Sequence, residues 1–154
     1  MDNVKYLSDY IAIATNQPES TSFQQAAQAE FKSVLNLRSP QEEGALPDEQ
    51  ANVEQAGLVY AQIPVKPSEM SDELTDRVMQ TLDELPKPVL THCKSGMRSG
   101  AMALMYQATR NNMSAEMALQ KGKEKGFDHD AHPQMKQFLI HYIDSHTDTN
   151  NAST

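Results

Sequence analysis

Short apolar runs and segments of helical periodicity take turns along the chain from Tyr10 to Ser145. The runs Tyr10–Ala14 (YIAIA), Ser33–Leu37 (SVLNL), Leu58–Val65 (LVYAQIPV) and Val89–Thr91 (VLT) read as strands, each bounded by turn or breaker residues. Between them lie helical patterns. One covers Phe23–Phe31, with N-caps offered by Ser20, Thr21 and Ser22. A short one runs from Pro47 to Gln55 and is closed by Gly57. Ser71 caps a third, with Asp72 and Glu73 in its first turn and Leu74, Val78, Met79, Leu82 and Leu85 as its inner stripe. Three more follow, from Arg98 to about Arg110, over Ser114–Lys125 and over Pro133–Ser145. Strands alternating with helices predict an α/β fold, a three-layer sandwich around a mostly parallel central sheet.

The length of 154 residues fits one domain, assigned to residues 1–145, with the polar end 146–154 (HTDTNNAST) expected to fray. Thirteen Lys+Arg against twenty-one Asp+Glu give a net charge of −8, which argues against nucleic acid as a partner. No apolar run reaches membrane-spanning length, so no membrane partner is expected. A cytoplasmic location is expected, or a periplasmic one if an export signal has been removed. The single cysteine, Cys93, excludes an internal disulfide and any multi-cysteine zinc site. No metal or organic cofactor is implied. The oligomeric state is not encoded in any of these features.

The chemistry concentrates in Val89–Gly100, V-L-T-H-C-K-S-G-M-R-S-G, which reads as strand, loop and helix start. Loops at the carboxyl ends of strands in an open α/β sheet face the ligand crevice. Amides from Lys94 to Ser99, curled above a helix N-terminus, would form an anion site, and the same field favours thiolate over thiol. Cys93 is therefore the candidate nucleophile. Gly96 supplies positive φ or close backbone approach. Arg98 offers a planar fork for two oxygens of a phosphoryl or sulfonyl group. Ser99 is placed to donate a hydrogen bond to the leaving thiolate. Lys94 adds charge at the rim, and Ser95 and Met97 complete the substrate-binding loop. His92, on the strand side of Cys93, is expected to brace the loop and not to act as a base.

The run H-C-x-x-G-x-R-S resembles the active loop of cysteine-dependent phosphatases of the dual-specificity type. The chain as a whole resembles the beta-lactamase-hydrolase-like, phosphatase-like family. The matching pieces are Gln17-Pro18 after a strand, Phe31–Arg38 (FKSVLNLR) with Glu43, Ala56–Pro64 (AGLVYAQIP) and the loop within Pro88–Ser99. They cover the chain from about Leu7 to Phe127. The resemblance implies a dual-specificity-phosphatase-like fold and hydrolysis of a small anionic substrate through a covalent cysteine intermediate.

One departure bears on the reaction. The phosphatase pattern has five residues between Cys and Arg, whereas Cys93 and Arg98 are separated by four. Four is the spacing of rhodanese-type sulfurtransferases, and a smaller ring of amides suits a terminal sulfur. Phosphoester cleavage also gains from a carboxylic acid that protonates the leaving oxygen. The loop Lys66–Asp72 (KPSEMSD) offers only Glu69 and Asp72, and Asp72 also fits the first turn of a helix. Three readings therefore stand: a cysteine-dependent phosphatase-like hydrolase, a sulfurtransferase that carries a Cys93 persulfide, and a non-catalytic anion-binding or redox-sensing module. The substrate is a phosphate ester in the first and a thiosulfate or persulfide in the second.

Other residues receive structural assignments. Arg38 with Glu43 is expected to be an ion pair that braces a strand end, and Gln17 an ordinary turn residue. His129, His132, His141 and His146 lack metal-ligand spacing and are expected at the solvated surface. Met102, Met105, Met113 and Met117 are expected to pack as core on the late helices.

Overall fold

The computed structural model describes residues 3–152, and side chains as far as His146. Five strands, β1 (Val4–Tyr6), β2 (Ile11–Ala14), β3 (Ser33–Asn36), β4 (Val59–Gln62) and β5 (Val89–His92), form one sheet in the order β1-β2-β5-β3-β4. β2, β5, β3 and β4 run parallel, and β1 adds an antiparallel edge to β2. β1 has no counterpart in the sequence reading. Its three residues are largely exposed and carry no buried stripe, so period-two hydrophobicity cannot reveal it.

Six helices follow the alternation: α1 (Ser20–Gln28), α2 (Glu49–Gln55), α3 (Asp72–Glu84), α4 (Met97–Asn111), α5 (Ala115–Glu124) and α6 (Pro133–Ala152). Ser71 caps α3, where its side chain accepts the Leu74 N–H, and Ser114 caps α5 in the same way through Met117. α1 starts earlier than its apolar pattern. The cap is Glu19, and its N–H donates to Ser22 Oγ at 3.2 Å. α6 continues past Ser145 to Ala152, into the segment read as frayed, and the last two residues of that segment lie outside those described.

Side chains alternate across the sheet and sort into two cores. Ile11, Ile13, Leu35 and Val89 face α3, α4, α5 and α6, together with Leu82, Leu104, Met105 and Leu139. Ala12, Ala14, Val34 and Leu90 face α1 and α2, together with Phe23 and Val53. Helices thus cover both faces, giving the three expected layers. Fully buried side chains such as Leu35 and Leu104 each contribute about 1.5–3 kcal/mol of hydrophobic stabilisation. The α3 stripe is as read except that Thr75 is buried in it while Leu74 is only half-buried. Met102 and Met105 are core, but Met117 is exposed.

The register fixes where the site can be. Ala14 and Asn36 both pair with His92, and Asn36 pairs with Gln62, so four parallel strands end level with one another. The loops after β2, β3, β4 and β5 therefore open on one edge of the sheet. The chain order reverses there, with β5 seated between β2 and β3, and ligand crevices form at such places.

Candidate functional site

Cys93 is the first residue after central strand β5, and side-chain alternation turns it and His92 to opposite faces. Cys93 sits in the α3–α6 core at 1% exposure, and its Sγ accepts the Gly96 N–H at 3.1 Å. Gly96 caps α4 with φ +94°, a left-handed conformation suited to glycine. An added Cβ there would lie 3.2 Å from the Phe127 ring and 3.4 Å from the Thr15 backbone. The tight turn and the close packing both require glycine. Lys94 and Ser95 are exposed on the outer side of the loop, and Met97 is half-buried at the start of α4. Ser99 is buried, and its Oγ finds no hydrogen-bond partner among the described residues, so the expected bond to Cys93 is not formed here.

Arg98 lies in the first turn of α4, 9% exposed. Its fork is met end-on by Glu42: Nη1 donates to Oε2 at 2.9 Å and Nη2 to Oε1 at 3.0 Å. Nη1 also donates to the Val65 carbonyl at 2.8 Å. Burial works against the Arg98 charge, but the Glu42 hydrogen bonds and the negative charge of a Cys93 thiolate outweigh it and hold the guanidinium above its ordinary pKa. In return the Arg98 hydrogen bonds pull Glu42 down to about 2; burial opposes this, while the Ser39 N–H and Arg38 add to it.

Arg38 does not pair with the Glu43 side chain. Its Nε donates to Glu42 at 3.3 Å, its Nη1 donates to Gln17 Oε1 at 2.9 Å, and its Nη2 meets only the Glu43 backbone carbonyl. Glu43 is exposed, one residue past the carboxylate that turns inward. Gln17 is likewise more than a turn residue, since its Nε2 donates to Glu49 Oε1 at 2.8 Å. Glu49, in the first turn of α2 and 2% exposed, in turn holds His92 Nε2 at 2.7 Å from Oε2. His92 points at α2, away from the cleft. Glu42 and Glu49 were absent from the sequence reading. Their trace in the sequence is a spacing of four residues from Arg38 to Glu42, and a carboxylate in the first turn of the short helix after Pro47.

A cleft of about 660 Å³ opens beside the loop, lined among others by Arg98, Lys94, Ser95, Met97, Lys66 and Glu42, while Cys93 itself is buried and outside the lining. Its far wall is the segment Ala131–Met135 leading into α6. Lys66 and Lys94 give the rim positive charge. Glu69 lies on a single helical turn, Pro67–Glu69, and Asp72 in the first turn of α3; both are exposed, and neither lines this cleft. Glu42 does line it, but Arg98 holds it ionised.

The histidines divide. His132 and His141 are exposed, while His146 is half-buried against Tyr142. His129 is buried, contrary to expectation, with Nε2 at 3.1 Å from the Met97 carbonyl, and burial lowers its pKa. That bond ties the cleft's far wall to the start of α4. Among the described residues no group of three His, Cys, Asp or Glu is arranged to hold a metal ion, and no helix is long and apolar enough to cross a membrane.

The chain is similar in sequence and in fold to several known proteins. A Xylella fastidiosa (strain Temecula1 / ATCC 700964) protein named beta-lactamase hydrolase-like protein is 28% identical over 125 residues. Those residues are 79% of this chain but 29% of that protein's length. A solved DUF442 structure from Shewanella putrefaciens CN-32 superposes with a TM-score of 0.78 at 25% identity, over 93% of this chain and 89% of the other. P. aeruginosa TpbA in complex with pTyr superposes with a TM-score of 0.69 at 20% identity, over 92% and 90% of the two chains, which bears on the fold alone. The architecture is that of the tyrosine and dual-specificity phosphatases. Residues 3–110 match the family described as beta-lactamase hydrolase-like protein, phosphatase-like domain, and the chain belongs to that family.

Proposed function

We propose that this chain is a cysteine-dependent phosphatase-like hydrolase of a small anionic substrate, with Cys93 as the nucleophile. The observation that carries the reading is the bond from the Gly96 N–H to Cys93 Sγ at 3.1 Å, in a loop that turns directly into the helix bearing Arg98. The thiolate attacks phosphorus, an S–P bond forms as the ester P–O bond breaks, and the leaving oxygen takes a proton from solvent water. Water then attacks the phosphocysteine, releasing phosphate and restoring the thiolate. Loop amides and the Arg98 N–H groups not taken by Glu42 and Val65, on Nε and Nη2, stabilise the charge on the phosphoryl oxygens in both steps. Lys66 and Lys94 draw the anion to the rim, and the pTyr complex of TpbA is in keeping with an anionic ligand.

A second reading is favoured by the cleft's carboxylate. Glu42, held down at about 2, carries no proton to give near neutral pH, and Glu69 and Asp72 lie outside the cleft. A leaving group that departs as a stable anion needs no such proton. In sulfur transfer, Cys93 attacks the outer sulfur of a thiosulfate, an S–S bond forms as another breaks, and sulfite leaves with the electron pair. The four-residue spacing from Cys93 to Arg98 fits this smaller group.

The deciding experiment measures aryl phosphate hydrolysis and thiosulfate-to-cyanide sulfur transfer for wild type and Cys93→Ser. Phosphate release abolished by the substitution supports the hydrolase. Sulfur transfer abolished by it, without phosphate release, supports the sulfurtransferase. No Cys93-dependent turnover in either assay leaves a non-catalytic anion-binding or redox-sensing module and overturns both.

A further inference from the structure

An unbroken chain of side-chain hydrogen bonds joins Arg98 to His92, on the two flanks of Cys93. Arg98 and Arg38 share Glu42, Arg38 donates to Gln17, Gln17 donates to Glu49, and Glu49 holds His92. Its members come from the loops after β2 and β3, from α2, from β5 and from α4. Arg38 and Glu49 are each 2% exposed and His92 is fully buried, so these groups depend on one another for the partners that water would otherwise supply. Cation, carboxylate and cation follow in order on one side of Gln17, with carboxylate and imidazole on the other. Gln17 is the uncharged link. Its Oε1 accepts from Arg38 at 2.9 Å and its Nε2 donates to Glu49 at 2.8 Å, so the charges on either side fix which way its amide faces.

We infer that Gln17 is a positioning residue that couples the Arg98 fork to His92 and holds both flanks of the Cys93 loop in one arrangement. This rests on Cys93 as the reacting group. A hydrocarbon at this position leaves Arg38 Nη1 without its acceptor and removes the Gln17 donor from Glu49, which keeps His92 and the Tyr60 hydroxyl. Arg38 then takes a larger share of Glu42, and Arg98 loses its hold beside the thiol. The groups facing the Gln17–Glu49 contact are Arg38, His92 and the Tyr60 hydroxyl, whose pKa is pushed up to about 12 by burial and then by the Glu49 charge, against the Asn36 hydrogen bond. Those facing Cys93 are Arg98 and the Gly96 N–H.

A glutamate at position 17 separates a positioning role from a merely structural one. Protonated, it reproduces the amide: its carbonyl accepts from Arg38 and its hydroxyl donates to Glu49. Ionised, it has no donor and repels Glu49. Two adjacent carboxylates share a proton and release it above the ordinary range. The variant should therefore work in acid and fail in alkali.

The experiment uses wild type, Gln17→Leu and Gln17→Glu. With one cysteine in the chain, the ultraviolet absorbance of the thiolate follows Cys93 alone, with Cys93→Ser as baseline. Calorimetry gives the affinity for inorganic phosphate. Gln17→Leu should raise the thiol's titration midpoint by about one pH unit and weaken phosphate binding about tenfold. Gln17→Glu should match wild type at the acid end of the range and Gln17→Leu at the alkaline end, each compared with wild type at the same pH. A Gln17→Leu midpoint equal to that of wild type overturns the inference. So does a Gln17→Glu protein that tracks wild type at every pH, and this comparison decides the matter if the leucine variant does not fold. A wild type that binds no phosphate overturns the proposed anion site and leaves the thiol titration to judge Gln17.

Discussion

Glu42 meets Arg98 end-on, with both carboxylate oxygens within 3.0 Å of the two terminal guanidinium nitrogens. The Arg98 guanidinium is thereby fixed in place by its terminal nitrogens, with its Nε side left unengaged by Glu42. Holding a long side chain in one geometry removes an entropic cost from the binding step. Glu42→Gln keeps the shape and removes the charge. It should weaken inorganic phosphate binding about tenfold, an estimate drawn from the strength of charge-assisted bonds. Calorimetric titration of both proteins is the check.

The same pair has a pH signature. Glu42 has its pKa lowered on folding, from 4.5 to about 2. Its stabilisation is therefore fully present above the unfolded value and is lost as pH falls through the folded one. Urea unfolding of wild type and Glu42→Gln should show a stability gap near neutral pH that closes between about pH 4.5 and 2. A gap constant down to the lower limit contradicts the assignment of the shift to this carboxylate.

Gly96→Ala should both destabilise the fold and impair the site. The residue holds φ +94°, and a Cβ would press on Phe127 and the Thr15 backbone. The expected cost is about 1–3 kcal/mol, from the strain of a left-handed non-glycine residue plus crowding. Denaturant unfolding measures it, and activity per folded molecule should fall as well, because the Gly96 N–H supports Cys93 Sγ.

Lys66→Ala and Lys94→Ala test the rim. Both lysines are exposed, so neither substitution should move the melting temperature appreciably. Each should weaken attraction of the anionic substrate in low salt, and the loss should shrink as ionic strength rises. Steady-state kcat/KM across a salt series gives the answer.

Glu69→Gln and Asp72→Asn should each retain most of the turnover seen in wild type, because neither side chain lines the cleft. A large loss confined to substrates with poor leaving groups would instead identify that carboxylate as the general acid.

The parts of this protein legible in the sequence are those written locally. Strand, cysteine, glycine, arginine and helix follow one another within Val89–Gly100, so the loop could be assembled without knowing the rest of the chain. The parallel sheet came from alternation in the same way. Gln17, Glu49 and His92, like Glu42 and Arg98, meet across contacts far apart in sequence, which no local pattern encodes. Arg38 and Glu42 are only four residues apart, but in an irregular loop no periodicity tells Glu42, which turns inward, from Glu43, which does not. His129 differs from its expected exposure for a related reason: its burial depends on contact with the start of α4 and not on its polar neighbours in sequence.

Either proposed reaction requires Cys93 to carry the transferred group covalently. Wild type and Cys93→Ser would each be mixed with an aryl phosphate or with thiosulfate, quenched within a turnover and weighed intact. Wild type should gain one phosphoryl group or one sulfur atom, mapped to the peptide containing Cys93, and the serine variant should gain neither. Turnover with no mass gain on that peptide, or equal gain on both proteins, would contradict it.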